Sequence, residues 1–562
     1  MNRRVRYTII VVVFAVVVII ISSAIIKKYK PSKEVKDLND HYVVNEDEAL
    51  VIFQDGIYEK KAIYEDGAIY LDYDTTVSLL NKRFYWDTKE NLLVYTTPTE
   101  YIRTDIGSRS FSVNKNNDEL KHPVTKSKDG TLYIAIDFID RYSDMEYQFY
   151  ENPNRVMIQK DWGKYLFSTV EKDTQIRVKD NIKSDILVEV TTGTELVYID
   201  SDTVYKNGFC KVMNDKGIIG FVRDKHISES QYKEVKSSFV EEEYVQTKKT
   251  EPIKLVWHQV TNQGANNNLL NDLEGTKGVT TISPTWYSIT SNEGTISSLA
   301  DETYVSRAHS LGIEVWALID DFNPEVDIVE VLSRTSRREK LVNELISSAI
   351  KYNLDGINID FETIPQEGGI HYIQFLRELS IRCRSNDLVL SVDSYVPTEY
   401  SSHYDIEEQG VVVDYVVIMA YDEHYRGSSE SGPVASIGFL EDAIENTKAK
   451  VPKEKILMGI PFYNRMWKED DSGIVEVIDL AMTNAEDRFR VNGVEPAWDS
   501  QMGLSYGEYE KDGFTYRMWL EDETSIDLKM QAIKKSEVAG IGAWKLDLEK
   551  EEIWNVINKY LN

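Results

Sequence analysis

The chain has 562 residues, 42% of them hydrophobic, and a formal net charge of −30. That length accommodates three or more domains, the apolar content excludes a disordered chain, and the charge argues against nucleic-acid binding. The two cysteines, Cys210 and Cys383, fall in different predicted domains. No disulfide is expected, and each reads as a small buried hydrophobe. The eight histidines show no metal-ligand spacing. His258, His403 and His424 read as hydrogen-bonded structural residues, and no metal or cofactor is expected.

Arg3, Arg4 and Arg6 precede an uncharged run of nineteen residues from Thr8 to Ile26. As a helix rising ~1.5 Å per residue, that run covers about 28 Å, enough for a bilayer core. Ser22-Ser23-Ala24 is a poor cleavage site and apolar residues continue past it, so residues 1–30 read as an uncleaved signal anchor. The arginines favour a cytoplasmic N-terminal tip, against a weaker opposing bias from Lys27, Lys28 and Lys30. The expectation is a single-pass protein of the cell membrane with everything after Lys27 outside.

Pro31 to Asp40 reads as a short polar linker. Residues 42–165 are rich in short strands and turns, with Asp55-Gly56, Glu65-Asp66-Gly67 and Asp129-Gly130 as turn signals. Ala68–Asp74, Phe84–Asp87 and Asn91–Tyr95 resemble the small α+β module named after the N-terminal domain of copper amine oxidases, without a histidine cluster that would hold copper. Residues 170–228 read as an all-β unit. Its run Gly217-Ile-Ile-Gly-Phe-Val222 resembles the closing strands of bacterial SH3 domains, a resemblance that implies either cell-wall peptide binding or a plain spacer. Residues 229–251, with Glu241-Glu242-Glu243 and Lys248-Lys249, read as a charged linker.

From residue 252 to 562, apolar runs of five to eight residues alternate with helical patterns at Arg337–Tyr352, His371–Arg384 and Ser525–Val538. The strand candidates begin at Lys254, Val279, Glu314, Leu354, Leu388, Tyr415, Ile456 and Gly540. This alternation predicts an α/β fold, a (β/α)8 barrel, preceded by the α+β module, the SH3-like β-barrel and the N-terminal transmembrane helix. Residues from about 466 to 525 separate the seventh strand candidate from its final helix, and with Tyr516-Arg-Met-Trp-Leu-Glu521 they resemble the small α+β insertion that walls the cleft in some barrel enzymes, a resemblance that implies Trp519 and Glu521 as candidate cleft walls.

Leu354-Asp-Gly-Ile-Asn-Ile-Asp-Phe-Glu362 carries the chemistry. Ile357, Ile359 and Phe361 alternate with Asn358, Asp360 and Glu362, so the polar side chains share one face. Parallel-sheet strands are ordinarily apolar on both faces. Two carboxyls at i, i+2, roughly 7 Å apart, favour one staying protonated, as a general acid requires.

The segment resembles the Asp-x-x-Asp-x-Asp-x-Glu signature of family 18 glycoside hydrolases, the chitinase-like family. Asp355, Asp360 and Glu362 fall on its first, third and last acidic positions, and Asn358 stands at the second. Met419-Ala-Tyr-Asp422, Ile456–Arg465 and Gly540-Ile-Gly-Ala-Trp544 resemble the sixth, seventh and eighth strands of that family. The resemblance implies that Glu362 is the acid/base, and that the substrate's own N-acetyl oxygen is the nucleophile. It implies that Asp360 orients the acetamido group, that Tyr421 donates to its oxygen, and that Asp422 contacts the sugar. Trp544 would floor the sugar site. Trp286, Tyr463, Arg465 and Asn358 are further substrate-binding candidates, and Asp355 is structural support. The implied substrate is a β-1,4-linked N-acetylglucosamine glycan, peptidoglycan before chitin given the anchor and the SH3-like run. A non-catalytic glycan-binding scaffold of the envelope, or a chitinase or endo-N-acetylglucosaminidase, remains as an alternative.

Overall fold

The computed structural model describes residues 3–199, 207–247 and 249–561. Lys248 and the extreme residues of the first and last predicted segments, Met1, Asn2 and Asn562, lie outside them. The chain forms two units: Met1–Phe84 with Arg103–Glu241, and Tyr85–Ile102 with Glu242–Asn562.

The first unit begins with helix Arg3–Tyr29, 27 residues long, none of them buried, and apolar enough to cross a membrane. It also holds two seven-stranded sheets. One is mixed: strand Glu48–Phe53 pairs parallel with Arg155–Gln159 and antiparallel with Gly56–Glu65. The other is antiparallel, and its core includes Ile176, Leu196, Val212 and Val222. Cys210 is buried there as a free thiol, and Cys383 is buried and free in the second unit.

The second unit is a closed parallel barrel. Its strands are β1 Ile253–His258, β2 Thr281–Ile289, β3 Glu314–Asp320, β4 Gly356–Asp360, β5 Val389–Tyr395, β6 Tyr415–Met419, β7 Ile456–Pro461 and β8 Gly540–Trp544. They pair in sequence order, and β8 closes the ring on β1. The helices between them are α1 Glu302–Ser310, α2 Thr335–Tyr352, α3 Gly369–Arg384, α4 Ile406–Val412, α5 Ile437–Lys448, α6 Glu523–Ser536 and α7 Glu551–Tyr560. This is the eight-stranded α/β barrel that the sequence alternation predicts.

Two apolar layers hold it. Leu255, Trp257, Trp316, Leu318, Val417 and Leu457 fill the barrel interior. The outer layer packs the other strand face against the helices. In α2, for example, Leu341, Val342, Leu345, Ile346 and Ala349 recur at helical spacing and are buried. Each such side chain removed from water contributes roughly 1.5–3 kcal/mol. The helix stops where Asn353 adopts φ 54°, the left-handed cap conformation. Likewise α6 ends at Ser536 and not at Val538, because Glu537 turns to φ 56°.

Between β7 and α6 the chain builds a five-stranded antiparallel sheet, Tyr463 to Leu520, with helix Met482–Val491 packed on it. Ser525, where the helical pattern is expected to begin, lies in the first turn of α6, and its hydroxyl completes a capping box with Asp522.

Strands Tyr85–Asp87 and Leu92–Thr96 form a hairpin that belongs with the barrel although the sequence places it 150 residues earlier. The residue before α2, Arg334, supplies no side-chain cap. Asp87 does so instead: its buried carboxylate accepts the Thr335 N–H at 2.6 Å and the Thr335 hydroxyl at 2.7 Å. The Tyr85 ring lies under the Arg338 guanidinium, which is itself paired with buried Glu378 at 2.9 Å. Asp87→Ala removes a charged cap from a helix N-terminus and orphans two buried donors. It is expected to lower stability by about 1–3 kcal/mol, read as a lower denaturant midpoint at unchanged m-value.

Candidate active site

Alternation along each strand aims every second side chain into the barrel. On β4 these are Asn358 and Asp360. On β5 they are Ser391, Asp393 and Tyr395, because the register pairs Asn358 with Ser391 and Ile359 with Val392. At the C-terminal mouth the strands open into a cleft of about 830 Å³. Asp360, Glu362, Asp393, Tyr421, Asp422 and Trp544 all line it.

The floor of the acidic site is a fixed hydrogen-bond network. Asn358 is fully buried. Its Oδ1 accepts from Trp257 Nε1 at 3.1 Å and from Ser283 Oγ at 3.0 Å. Its Nδ2 donates to Ser391 Oγ at 3.0 Å and to Asp393 Oδ1 at 2.8 Å. Trp257 Nε1 also reaches Asp393 Oδ2 at 3.2 Å. The indole lies across the barrel because β8 carries Gly542 there: a Cβ at that position would meet the Trp257 ring at 2.9 Å.

β4 ends at Asp360, and Glu362 stands two residues beyond it. The ladder stops because Asp321 captures the next amides: its Oδ1 accepts the Glu362 N–H at 2.9 Å and its Oδ2 the Thr363 N–H at 3.0 Å. Tyr395 holds Glu362 from the opposite side, its hydroxyl donating to Oε2 at 2.9 Å. Asp360 is buried, and its Oδ1 has no hydrogen-bond partner.

Burial pushes the Asp360 carboxyl well above the usual carboxylate range, and the negative neighbours Asp393, Glu362, Asp321 and Asp320 push further. Burial likewise raises Glu362, against the Tyr395 hydrogen bond and aided by Asp321 and Asp422. Asp393 is pushed up to about 8 by burial, against its two N–H donors. Among the described residues no lysine or arginine pairs with Asp360, Glu362 or Asp393. The site therefore holds protons near neutral pH.

Tyr421 stands at the end of β6, edge-on to Trp257 and to Tyr463, and burial raises its phenol well above the ordinary range. Asp422 follows in a left-handed conformation, φ 57°. Its carboxylate accepts from the Tyr463 hydroxyl and from Arg465 Nη1, the latter at 2.9 Å. Arg465 also holds Asp479 of the inserted sheet at 2.8 Å. Trp544 packs against Trp257 with ring centroids 5.9 Å apart, and its outer face lines the cleft. A second hollow of about 490 Å³ continues from Asp422 and Trp544 past Arg465 and Lys545.

The structure brings together eight of the ten sequence-chosen residues: Glu362, Asp360, Tyr421, Asp422, Trp544, Tyr463 and Arg465 line the cleft or its extension, and Asn358 lies directly beneath. Trp286 is not among them. A bulge between Thr285 and Tyr287 breaks the β2–β3 register. The indole is buried in the outer layer, donating to Asn266 at 2.8 Å and packed on Tyr304. Asp355 sits at the opposite end of β4, bonded to His309 at 2.7 Å and to the Val315 amide at 2.8 Å. Trp519 and Glu521 do not wall the cleft: Trp519 packs on Tyr506, and Glu521 is buried against Lys529. His258, His403 and His424 each have a hydrogen-bond partner. Among the described residues no group of His, Cys, Asp and Glu is placed to hold a metal.

Sequence reasoning missed Asp393, Tyr395, Trp257 and Asp321. The signal for the first two was present: Ser391, Asp393 and Tyr395 alternate with Leu390, Val392 and Ser394, the same period that singled out β4.

Residues 255–549, more than half of the chain, match the family Glycosyl hydrolases family 18. The chain belongs to that family. YdhD of Bacillus subtilis (strain 168), provisionally named a sporulation-specific glycosylase, is 32% identical over 246 residues, 40% of this chain and 55% of its own. The cortical fragment-lytic enzyme of Bacillus anthracis is 25% identical over 260 residues, 45% of this chain and 60% of its own. The chain thus spans little more than half the length of these curated relatives. Among solved structures, the Bacillus megaterium QM B1551 spore cortex-lytic enzyme SleL shares the fold over 55% of this chain and 74% of its own, with a TM-score of 0.50 and 20% identity.

The raised carboxyls carry a stability signature. A carboxyl whose folded-state pKa lies above its unfolded value near 3.9 contributes stability that is complete below about pH 4 and is lost as pH rises. For Asp393 the loss runs up to about pH 8. Asp393→Asn removes this contribution, so the lead in Tm of the wild type over the variant is expected to narrow from pH 5 to pH 9. Parallel Tm curves would contradict the raised carboxyl.

Proposed function

We propose that this chain is a glycosidase that cleaves β-1,4-linked N-acetylglucosamine in peptidoglycan by retaining, substrate-assisted catalysis. The observation that carries the reading is Asp360, whose buried Oδ1 is unpartnered beside the cleft and two residues below Glu362. An amide N–H from the substrate satisfies that oxygen, and an acetamido group offers one.

The steps follow from the geometry. The Glu362 carboxyl, protonated because burial raises it, gives its proton to the glycosidic oxygen. The acetamido oxygen attacks the anomeric carbon as the glycosidic bond breaks. Asp360 holds the acetamido N–H and balances the oxazolinium cation that results, and the Tyr421 hydroxyl donates to the acetamido oxygen. Glu362, now a carboxylate, takes a proton from water, whose oxygen opens the ring with net retention. The Asp422, Tyr463 and Arg465 cluster holds sugar hydroxyls, and the Trp544 face receives the sugar ring.

Peptidoglycan is favoured over chitin by three features. Relatives named for cortical fragment lysis match the barrel. Residues 170–228 carry the SH3-like run, and the helix Arg3–Tyr29 is long enough to tether the protein at a membrane, with Arg3, Arg4 and Arg6 directing the remainder outside.

Full-length protein in detergent is expected to release fragments ending in reducing N-acetylglucosamine from intact peptidoglycan, read by mass spectrometry. Glu362→Gln is expected to lower kcat about 10²–10⁴-fold with KM little changed. Cleavage of chitin oligomers alone would move the substrate to chitin. Binding without cleavage by the wild type would favour the scaffold reading.

A further inference from the structure

Asp360 is the middle of a row of three carboxyls. The register pairs Asp320 of β3 with Asp360 of β4. It also pairs Ile359 with Val392, so the next rung sets Asp360 beside Asp393 of β5. Neighbouring strands lie about 4.8 Å apart, and three carboxylates at that spacing in a barrel interior do not all ionise. The three are not equivalent. Asp320 is partly exposed and accepts from the Ser288 hydroxyl at 2.8 Å. Asp393 is fully enclosed yet receives two N–H donors, from Asn358 and Trp257. Those donors cannot reverse. An indole nitrogen only donates, and the Asn358 carbonyl is already taken by Trp257 and Ser283, which leaves its amide nitrogen facing Asp393. Asp360 has an oxygen with no donor at all. Donors on Asp393 and an unpartnered oxygen on Asp360 make Asp393 the first of the two to give up its proton as pH rises, and leave Asp360 protonated beside it.

We propose that Asp393 is a positioning residue for the reaction: it shares one proton with Asp360, carries the charge while Asp360 is protonated, and takes the proton when Asp360 must become an anion beside the oxazolinium cation. This rests on the reading of Asp360 given under the proposed function. The transfer balances within the pair. The Asp360 O–H bond breaks, an O–H bond forms on Asp393, one negative charge moves the other way, and no outside acid is needed. Asn358, at a position where the family signature has a carboxylate, then serves as the fixed amide that keeps Asp393 in place. The other titratable groups facing Asp393 are Glu362, Tyr421 and Tyr372.

The test is the pH dependence of kcat and kcat/KM for the full-length protein on chitin oligomers and peptidoglycan. Variants are Asp393→Asn and Asp393→Glu, with Glu362→Gln as control. Asp393→Asn removes the neighbouring charge, so Asp360 releases its proton at lower pH. The alkaline limb is expected to move down by about one pH unit, and kcat at the optimum to fall about tenfold or more with KM within about twofold. Asp393→Glu is expected to restore the limb even if the rate stays low. A profile that is scaled down with its limbs unmoved would overturn the shared proton and leave Asp393 as packing. Should Asp393→Asn not fold, infrared titration of the wild type against Asp360→Asn decides. Loss of one carboxyl and a downward move of a second support the pair, and loss of one band with the rest unmoved overturns it. If the wild type hydrolyses neither substrate, it is the proposed function that fails, a result separate from any of these.

Discussion

A single amide organises the barrel interior. Asn358 can neither rotate nor invert without orphaning a donor, because Trp257, Ser283, Ser391 and Asp393 occupy its hydrogen-bonding positions from three other strands. A buried polar group left unpaired costs about 1–3 kcal/mol, so the clamp ties the registers of β1, β2, β4 and β5 to one another. Everything above it inherits that alignment: Asp360 one layer up, then Glu362, Tyr395 and Tyr421 at the rim. The small residues on the other side of the barrel follow from the same constraint. Gly542 admits the Trp257 ring, and Gly459 admits Tyr421, whose ring a Cβ there would meet at 3.0 Å.

The acidic site is costly to fold, and the structure shows where the cost is carried. Three carboxyls stand in one row without a pairing cation, and burial raises each of them. Elsewhere in the same barrel buried carboxylates are paired conventionally, Glu378 with Arg338 and Glu408 with Arg377. The protein therefore pairs buried acids with guanidinium among the outer helices, and among the described residues places no cation beside the three carboxyls of that row. Polarity is distributed by task, and the two kinds of buried acid lie within one domain.

The sequence disclosed the barrel because each parallel strand is buried on both faces and each helix carries a stripe, and those periods survive in a single chain. It disclosed Asp360 and Glu362 because polar residues at period two inside an apolar strand have few structural explanations. Asp393 and Tyr395 obeyed the same period but stood in a strand read for its apolar residues alone. Trp286 failed for a different reason: the bulge at Thr285–Tyr287 turns the strand, and its one local signal, Pro284, says that the strand is irregular without saying which way the next side chain points. Asp321 was invisible because its work, stopping the β4 ladder, depends on a strand forty residues away. Phe84–Asp87 and Asn91–Tyr95 were read as part of the module resembling the copper amine oxidase N-terminal domain and not with the barrel, since sequence patterns carry no information about which distant helix lacks a cap.

That borrowed cap has a consequence for the order of events in biosynthesis. Asp87 and its partner Thr335 are separated by 248 residues. At a synthesis rate of roughly 5–20 residues per second, the hairpin leaves the ribosome about 12–50 s before the helix it caps exists. For that interval the Asp87 carboxylate and the Tyr85 ring have no native partner in the barrel, whose strands are still to be made. The barrel is thus finished from its N-terminal side, by a piece that was made first and docks late.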